Sequence, residues 1–201
     1  MCNIENFIYI CGKRKHKYKI MKKSFLFLAD GFEECEAIAP IDMLRRGGVE
    51  VVTVSVTGRR DVTGANDICV ITDKLFDECD FAAADMLILP GGMPGAQHLN
   101  EHEGLKNLIV RLSAQNKWIA AICAAPMVLG GLGLLKGRKA TCYPGFESKL
   151  TGATCSTEAV EIDGNIITGK GPGYACNFGC ALLTALMGKE TAQNVWAGMF
   201  P

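Results

Sequence analysis

Short apolar runs alternate along the chain with longer stretches in which apolar positions recur every three or four residues. Ser24–Ala29 (SFLFLA) is the first run, and the GFEECEAIAPIDMLRRGG behind it places apolar residues at 37, 38, 41 and 44, one face of a helix that Gly47-Gly48 closes. Val49–Val56 (VEVVTVSV), rich in β-branched side chains, is the next strand. Strand, helix, strand, with strands apolar enough to be buried on both faces, predicts a parallel sheet. Between Thr57 and Asp73, Gly58, Gly64 and Asn66-Asp67 surround a short apolar run at 68–71, which predicts a small hairpin or excursion at a sheet edge. Asp85–Leu89 (DMLIL) is the third main strand and ends on Pro90-Gly91-Gly92, with a helix over about 103–115 behind it. Trp118–Ile122 is the fourth, followed by a helix over 126–135 and a short strand at 138–142. TEAVEI and NIITG, joined by Asp163-Gly164, read as a hairpin, and two helices over about 173–187 and 189–197 close the chain. The pattern is that of one doubly wound, mostly parallel α/β domain, whose site belongs in the crevice beyond the carboxyl ends of its strands. Three loops meet that rule: Asp30–Glu36, Pro90–Ala96 and Cys123–Pro126.

Charge changes this picture at one end only. Seven basic residues against Glu5 give residues 1–23 a charge of +6, and the remaining 14 basic and 20 acidic groups give the body −6. A body of that sign without a basic stripe is a poor nucleic-acid binder, and no apolar run is long enough to span a membrane. The basic stretch ends just before Met21-Lys22-Lys23, which looks like a start followed at once by the first strand. Residues 1–20 are therefore read as an N-terminal extension, disordered or not native, and 21–201 as the domain. Ten cysteines are many for 201 residues, yet they sit inside strand-like and helix-like segments of a chain large enough to need no staples. No CxxC pair is present and the three histidines do not combine with cysteines at zinc spacing, so neither a disulfide framework nor a metal is expected. The compartment this implies is the reducing cytoplasm.

One cysteine stands apart. In KWIAAICAAP, Cys123 falls on the turn between an apolar strand and a helical pattern. It is either one more small buried side chain or a nucleophile lifted out of the sheet at a sharp elbow, where small neighbours such as Ala121, Ala124 and Ala125 are required. A helix N-terminus there would lower the thiol pKa. Gly91 and Gly92, and the amide of Ala124, can offer N–H groups to a developing oxyanion, although a Pro-Gly-Gly turn needs glycine for its φ angles alone. Glu33, Glu34 and Glu36 crowd the first helix, where carboxylates ordinarily complement the dipole; one that points into the crevice beside a thiolate would instead stay protonated and donate.

LADGFEECEAIAPIDMLRRGG, LILPGGMPGA, AAICAAP and TGKGPG, in this order and spacing over about residues 22–197, resemble the DJ-one/ThiJ/PfpI superfamily, most closely the branch of the Parkinson's disease protein and bacterial ThiJ-type relatives. The resemblance implies a flavodoxin-like three-layer αβα sandwich of the class I glutamine amidotransferase type, and a homodimer. It also implies Cys123 as nucleophile, Glu36 as the protonated glutamate touching it, and Gly92 with Ala124 as oxyanion donors. Two departures stand out: Tyr143 occupies the place of a histidine found in many relatives, leaving it to shape the pocket or donate its hydroxyl, and Lys170 stands where several relatives have arginine.

The leading function so implied is cofactor-free, glutathione-independent conversion of α-oxoaldehydes such as methylglyoxal and glyoxal, or of their adducts with thiols and amines, to hydroxy acids: a glyoxalase III or deglycase chemistry. The alternative is an oxidative-stress sensor or redox-regulated chaperone acting through oxidation of Cys123. Thiazole monophosphate biosynthesis finds no phosphate-binding loop to support it. Proteolysis lacks a base, since Ala124 stands where the protease-like branch carries histidine.

Overall fold

The computed structural model describes residues 21–201, and the basic extension of residues 1–20 lies outside the described residues. In chain order the elements are β1 Lys23–Leu28, α1 Glu34–Arg46, β2 Glu50–Ser55, β3 Asp61–Thr63, β4 Cys69–Ile71, β5 Lys74–Leu75, β6 Met86–Leu89, α2 Gly95–Glu101 and α3 Glu103–Ala114. Then come β7 Trp118–Ile122, α4 Pro126–Gly131, β8 Lys139–Ala140, β9 Thr154–Cys155, β10 Val160–Asp163, β11 Ile166–Gly169, α5 Ala175–Met187 and α6 Lys189–Met199.

Seven strands form one sheet in the order β10-β11-β7-β6-β1-β2-β5, with only the β10–β11 pairing antiparallel. The central strands are apolar because both faces are covered: α1 packs on α5 and α5 on α6, while α2 meets α3 and α4. Leu26, Phe27, Leu28, Leu87, Ile88, Leu89, Ile119 and Ile122 are wholly buried. This is the three-layer flavodoxin-like α/β architecture that the pattern and the resemblance called for.

The expected hairpin at 57–73 is β3–β4, a separate two-stranded sheet, and the Asp163-Gly164 turn joins β10 to β11. The helix expected to run to 135 stops at Gly131, because Gly130 lies against the backbone of Lys149 and Leu150 and the chain turns there. The short strand at 138–142 is reduced to β8, and pairs with β9 rather than with the main sheet. Among the described residues no helix is long and apolar enough to cross a membrane.

Candidate active site

β7 delivers Cys123 to the carboxyl edge of the sheet. Its residue leaves the strand with φ +65°, a left-handed conformation that non-glycine side chains adopt only at a cost of order 1 kcal/mol or more. Two hydrogen bonds hold it there: the Cys123 N–H donates to the Gly169 carbonyl at 2.9 Å, and the Cys123 carbonyl accepts from the Tyr143 N–H at 2.9 Å. Ala124 and Ala125 are buried, and Pro126 opens α4 at the position where a missing N–H is tolerated. The result is an elbow that aims the thiol at the loops after β1 and β6.

From the β1 side comes α1. Glu33 is its N-cap, with side-chain Oε2 accepting from the Glu36 N–H at 2.7 Å, and the Glu33 N–H donates to the Gly91 carbonyl at 3.0 Å. That cap fixes the first turn of α1 and turns Glu36 inward, where it is fully buried. The sequence pattern does not rank Glu33, Glu34 and Glu36; the spacing of three between Glu33 and Glu36 is the sign in it that Glu33 caps the helix.

From the β6 side come Gly91 and Gly92. The Gly91 N–H donates to Glu36 Oε2 at 2.8 Å, so it is engaged with the carboxyl rather than free for an oxyanion. A Cβ on Gly91 would lie 2.7 Å from both Cys123 Cβ and Glu36 Oε2, which shows how closely the three residues converge and why no side chain fits there. Gly92 has φ +85°, and a Cβ on it would strike the backbone of Gly31, Phe32 and Glu33. The two glycines thus let the β6 loop press against both neighbours at once.

The electrostatics follow from this burial. Desolvation pushes Glu36 up to about 7, helped by the charge of Glu33 and opposed by hydrogen bonds from Cys123 and the Gly91 amide. Glu36 Oε2 takes the Gly91 amide, while Oε1 is buried and has no hydrogen-bond partner among the described residues. Cys123 is pushed up to about 12, first by burial and then by the charge of Glu36 and its hydrogen bond, while the amides of Gly92 and Ala124 pull it down. Position at a helix start suggested a lowered thiol pKa; burial reverses that, and α4, at six residues, adds little dipole. Once Glu36 takes a proton its repulsion vanishes, and its O–H becomes a donor to sulfur that favours the thiolate.

Of the residues singled out in the sequence, Cys123, Glu36, Gly91, Gly92 and Ala124 come together in this way. Tyr143 is tied in through its backbone, while its ring is 46% exposed and stands over Gly171. Among the described residues no group of three or more histidine, cysteine or carboxylate side chains could hold a metal, and the cysteines are free.

The chain has counterparts among known proteins. The sequence profile of the DJ-1/PfpI family matches residues 22–185. Protein DJ-1 homolog B of Arabidopsis thaliana is 39% identical over 176 residues, 87% of this chain but only 40% of that protein, so the chain spans less than half of this relative. The Parkinson disease protein 7 homolog of Danio rerio is 33% identical over 180 residues, covering 88% of this chain and 95% of that one. The solved structure of oxidized Toxoplasma gondii DJ-1 superposes with a TM-score of 0.86 at 37% identity, over 89% of this chain and 98% of that chain. A profile match over most of the chain, carried by a relative matched along nearly its whole length, makes this protein a member of the DJ-1/PfpI family.

Proposed function

We propose that residues 21–201 act as a single enzyme domain in which Cys123 attacks reactive α-oxoaldehydes, or their early adducts with thiols and amines, and releases a hydroxy acid. The observation that carries this reading is a buried carboxyl, Glu36, pushed up to about 7 and set against a thiol on a strained elbow. A group that titrates near neutrality can both give and take a proton, which is what the chemistry requires. The Cys123 thiolate adds to the aldehyde carbon and the oxygen takes the proton from Glu36, giving a hemithioacetal and leaving Glu36 a carboxylate. The Glu36 carboxylate removes the proton from that carbon to form an enediolate, a proton passes from the hydroxyl to the neighbouring oxygen, and Glu36 returns its own proton to the neighbouring carbon, leaving a thioester of the hydroxy acid. Water cleaves the thioester, so that methylglyoxal and water become lactate and the thiol is regenerated. The amides of Gly92 and Ala124, which already face sulfur, are the donors for the oxygen that carries negative charge. In this reading water is the one co-reactant.

Consumption of methylglyoxal with formation of lactate by the full chain, lost in Cys123→Ala and in Glu36→Gln, is the expected result. No turnover by the unsubstituted protein would remove this substrate class.

A second reading has its own observation: the same amides and Glu36 form a cradle for an oxidised sulfur, and the Toxoplasma relative is described in an oxidized form. Here the thiolate attacks peroxide, the O–O bond breaks and a sulfenate results; a second peroxide gives the sulfinate, to which Glu36 donates. Selective formation of a sulfinate on Cys123 without dicarbonyl turnover would favour it. The homodimer and the cytoplasmic setting belong to the same proposal. Light scattering of the full chain checks the homodimer: the mass of two copies is expected, and the mass of one would contradict it.

A further inference from the structure

Next to the Cys123 backbone lies a smaller cavity of about 270 Å³, lined by Tyr143, Pro144, Lys170, Gly171, Pro172, Gly173 and Tyr174. Both of its walls hang on the Cys123 backbone. Tyr143 donates its N–H to the Cys123 carbonyl, and the Lys170–Gly173 wall continues from Gly169, whose carbonyl takes the Cys123 N–H. The Tyr143 ring lies close over Gly171: a Cβ there would be 3.1 Å from it.

Lys170 is the charged residue of this lining. Its Nζ donates to the Thr157 carbonyl at 3.0 Å and sits 6.0 Å from the centre of the Tyr174 ring. Those contacts hold the side chain in place and leave its charge uncompensated, since among the described residues Lys170 makes no ion pair. The ammonium of a half-buried lysine with donor capacity to spare, in a concavity whose lining holds no carboxylate and two phenol rings, is suited to an anion. Tyr143 and Tyr174, 46% and 41% exposed, add hydroxyl donors and flat apolar faces for a short carbon chain.

We propose that Lys170, Tyr143 and Tyr174 form an anion-accepting subsite beside Cys123, which selects electrophiles bearing a carboxylate over neutral ones of the same size. This rests on the reading of Cys123 as a nucleophile and narrows its substrate class to α-oxoaldehydes with a carboxylate a few carbons away. Lys170 is a specificity-determining residue in this account; the reacting atoms belong to Cys123 and Glu36.

Two probes of almost equal size test it. Iodoacetate and iodoacetamide both lose iodide as a carbon–sulfur bond forms, and differ in charge. Their rates at Cys123, read peptide by peptide in the intact full chain, give a ratio in which the general reactivity of the thiol cancels. Lys170→Met is expected to lower the iodoacetate-to-iodoacetamide ratio by roughly three- to tenfold, the effect of one charge at short range in a solvent-rimmed pocket, and Lys170→Arg to keep it. An unchanged ratio in Lys170→Met overturns the subsite. A second measurement does not depend on the thiol: binding of 4-oxopentanoate to Cys123→Ala, seen by ligand-observed NMR, is expected to exceed that of neutral 2-pentanone and to vanish with Lys170→Met added. Equal binding of the two, while the unsubstituted chain still turns over methylglyoxal, overturns the subsite and leaves the nucleophile standing. Selective acid binding without any turnover would do the opposite, supporting the subsite and removing the nucleophile.

Discussion

Cys123 and Cys142 are two buried thiols of similar exposure, 8% and 5%, each just beyond the end of a strand and each pushed up to about 12 chiefly by burial. What surrounds them differs. Around Cys142 the further influences, from Glu147 and Cys155, also raise its pKa, so nothing there stabilises a thiolate. Around Cys123 the amides of Gly92 and Ala124 pull the other way, and the neighbouring Glu36 can be neutralised near pH 7. Burial by itself makes a thiol inert. Donors gathered around a buried thiol, with a carboxyl able to surrender its charge, make it usable.

The sharpest way to break that comparison is to remove each sulfur in turn. Cys123→Ala is expected to abolish methylglyoxal turnover, a loss of roughly a thousandfold or more, whereas Cys142→Ala leaves the rate within about twofold. Should both variants lose activity alike, the donors around Cys123 would not set the two thiols apart. Next in size is Glu36→Gln: turnover is expected to fall roughly a hundredfold, because the amide cannot carry a proton, while alkylation of Cys123 by iodoacetamide changes only severalfold, because the amide still donates to sulfur. Parallel losses in both assays would make Glu36 an orienting group only.

The raised carboxyl has a third consequence, in stability. A carboxyl whose pKa rises from 4.5 to about 7 on folding holds its proton more tightly in the folded state. Its contribution is complete in acid and is lost as pH rises through about 7, a change of about 3 kcal/mol. Urea unfolding of the unsubstituted chain and of Glu36→Gln at pH 4, 6 and 8 is therefore expected to show the variant gaining relative stability with rising pH; a constant difference would refute the burial argument. A smaller effect is expected from Gly91→Ala, which forces a methyl group between Cys123 and Glu36 and should cost roughly 1–3 kcal/mol in the same assay.

Much of this contrast could be read along the chain. The apolar run of β7 ending in Ala-Ile-Cys-Ala-Ala announces an elbow, and the runs of β1, β2 and β6 announce the sheet. The Asp-Gly turn marks the β10–β11 hairpin for the same local reason. Other features left no such trace. α2 buries only Gly95, Ala96 and Leu99, too narrow a stripe to show as periodicity, and β5 and β9 are two residues each. At the site, the pattern offered three glutamates without ranking them, since Glu36 is distinguished by a Gly91 amide 55 residues away and by a cap from Glu33. Resemblance to the family selected it; the bonds give the physical reason. Lys170 was likewise uninterpretable along the chain, and Tyr174 carried no signal there; the fold sets both around one cavity with Tyr143.

The most direct test of the contrast between the two thiols is peptide-resolved alkylation of the folded full chain by iodoacetamide near pH 7, comparing Cys123 with Cys142 in one sample. Similar burial makes each the control for the other. Donor stabilisation predicts that Cys123 reacts roughly a hundredfold faster or more. Equal rates, or faster modification of Cys142, would mean that burial governs both thiols and that the elbow holds no activated nucleophile.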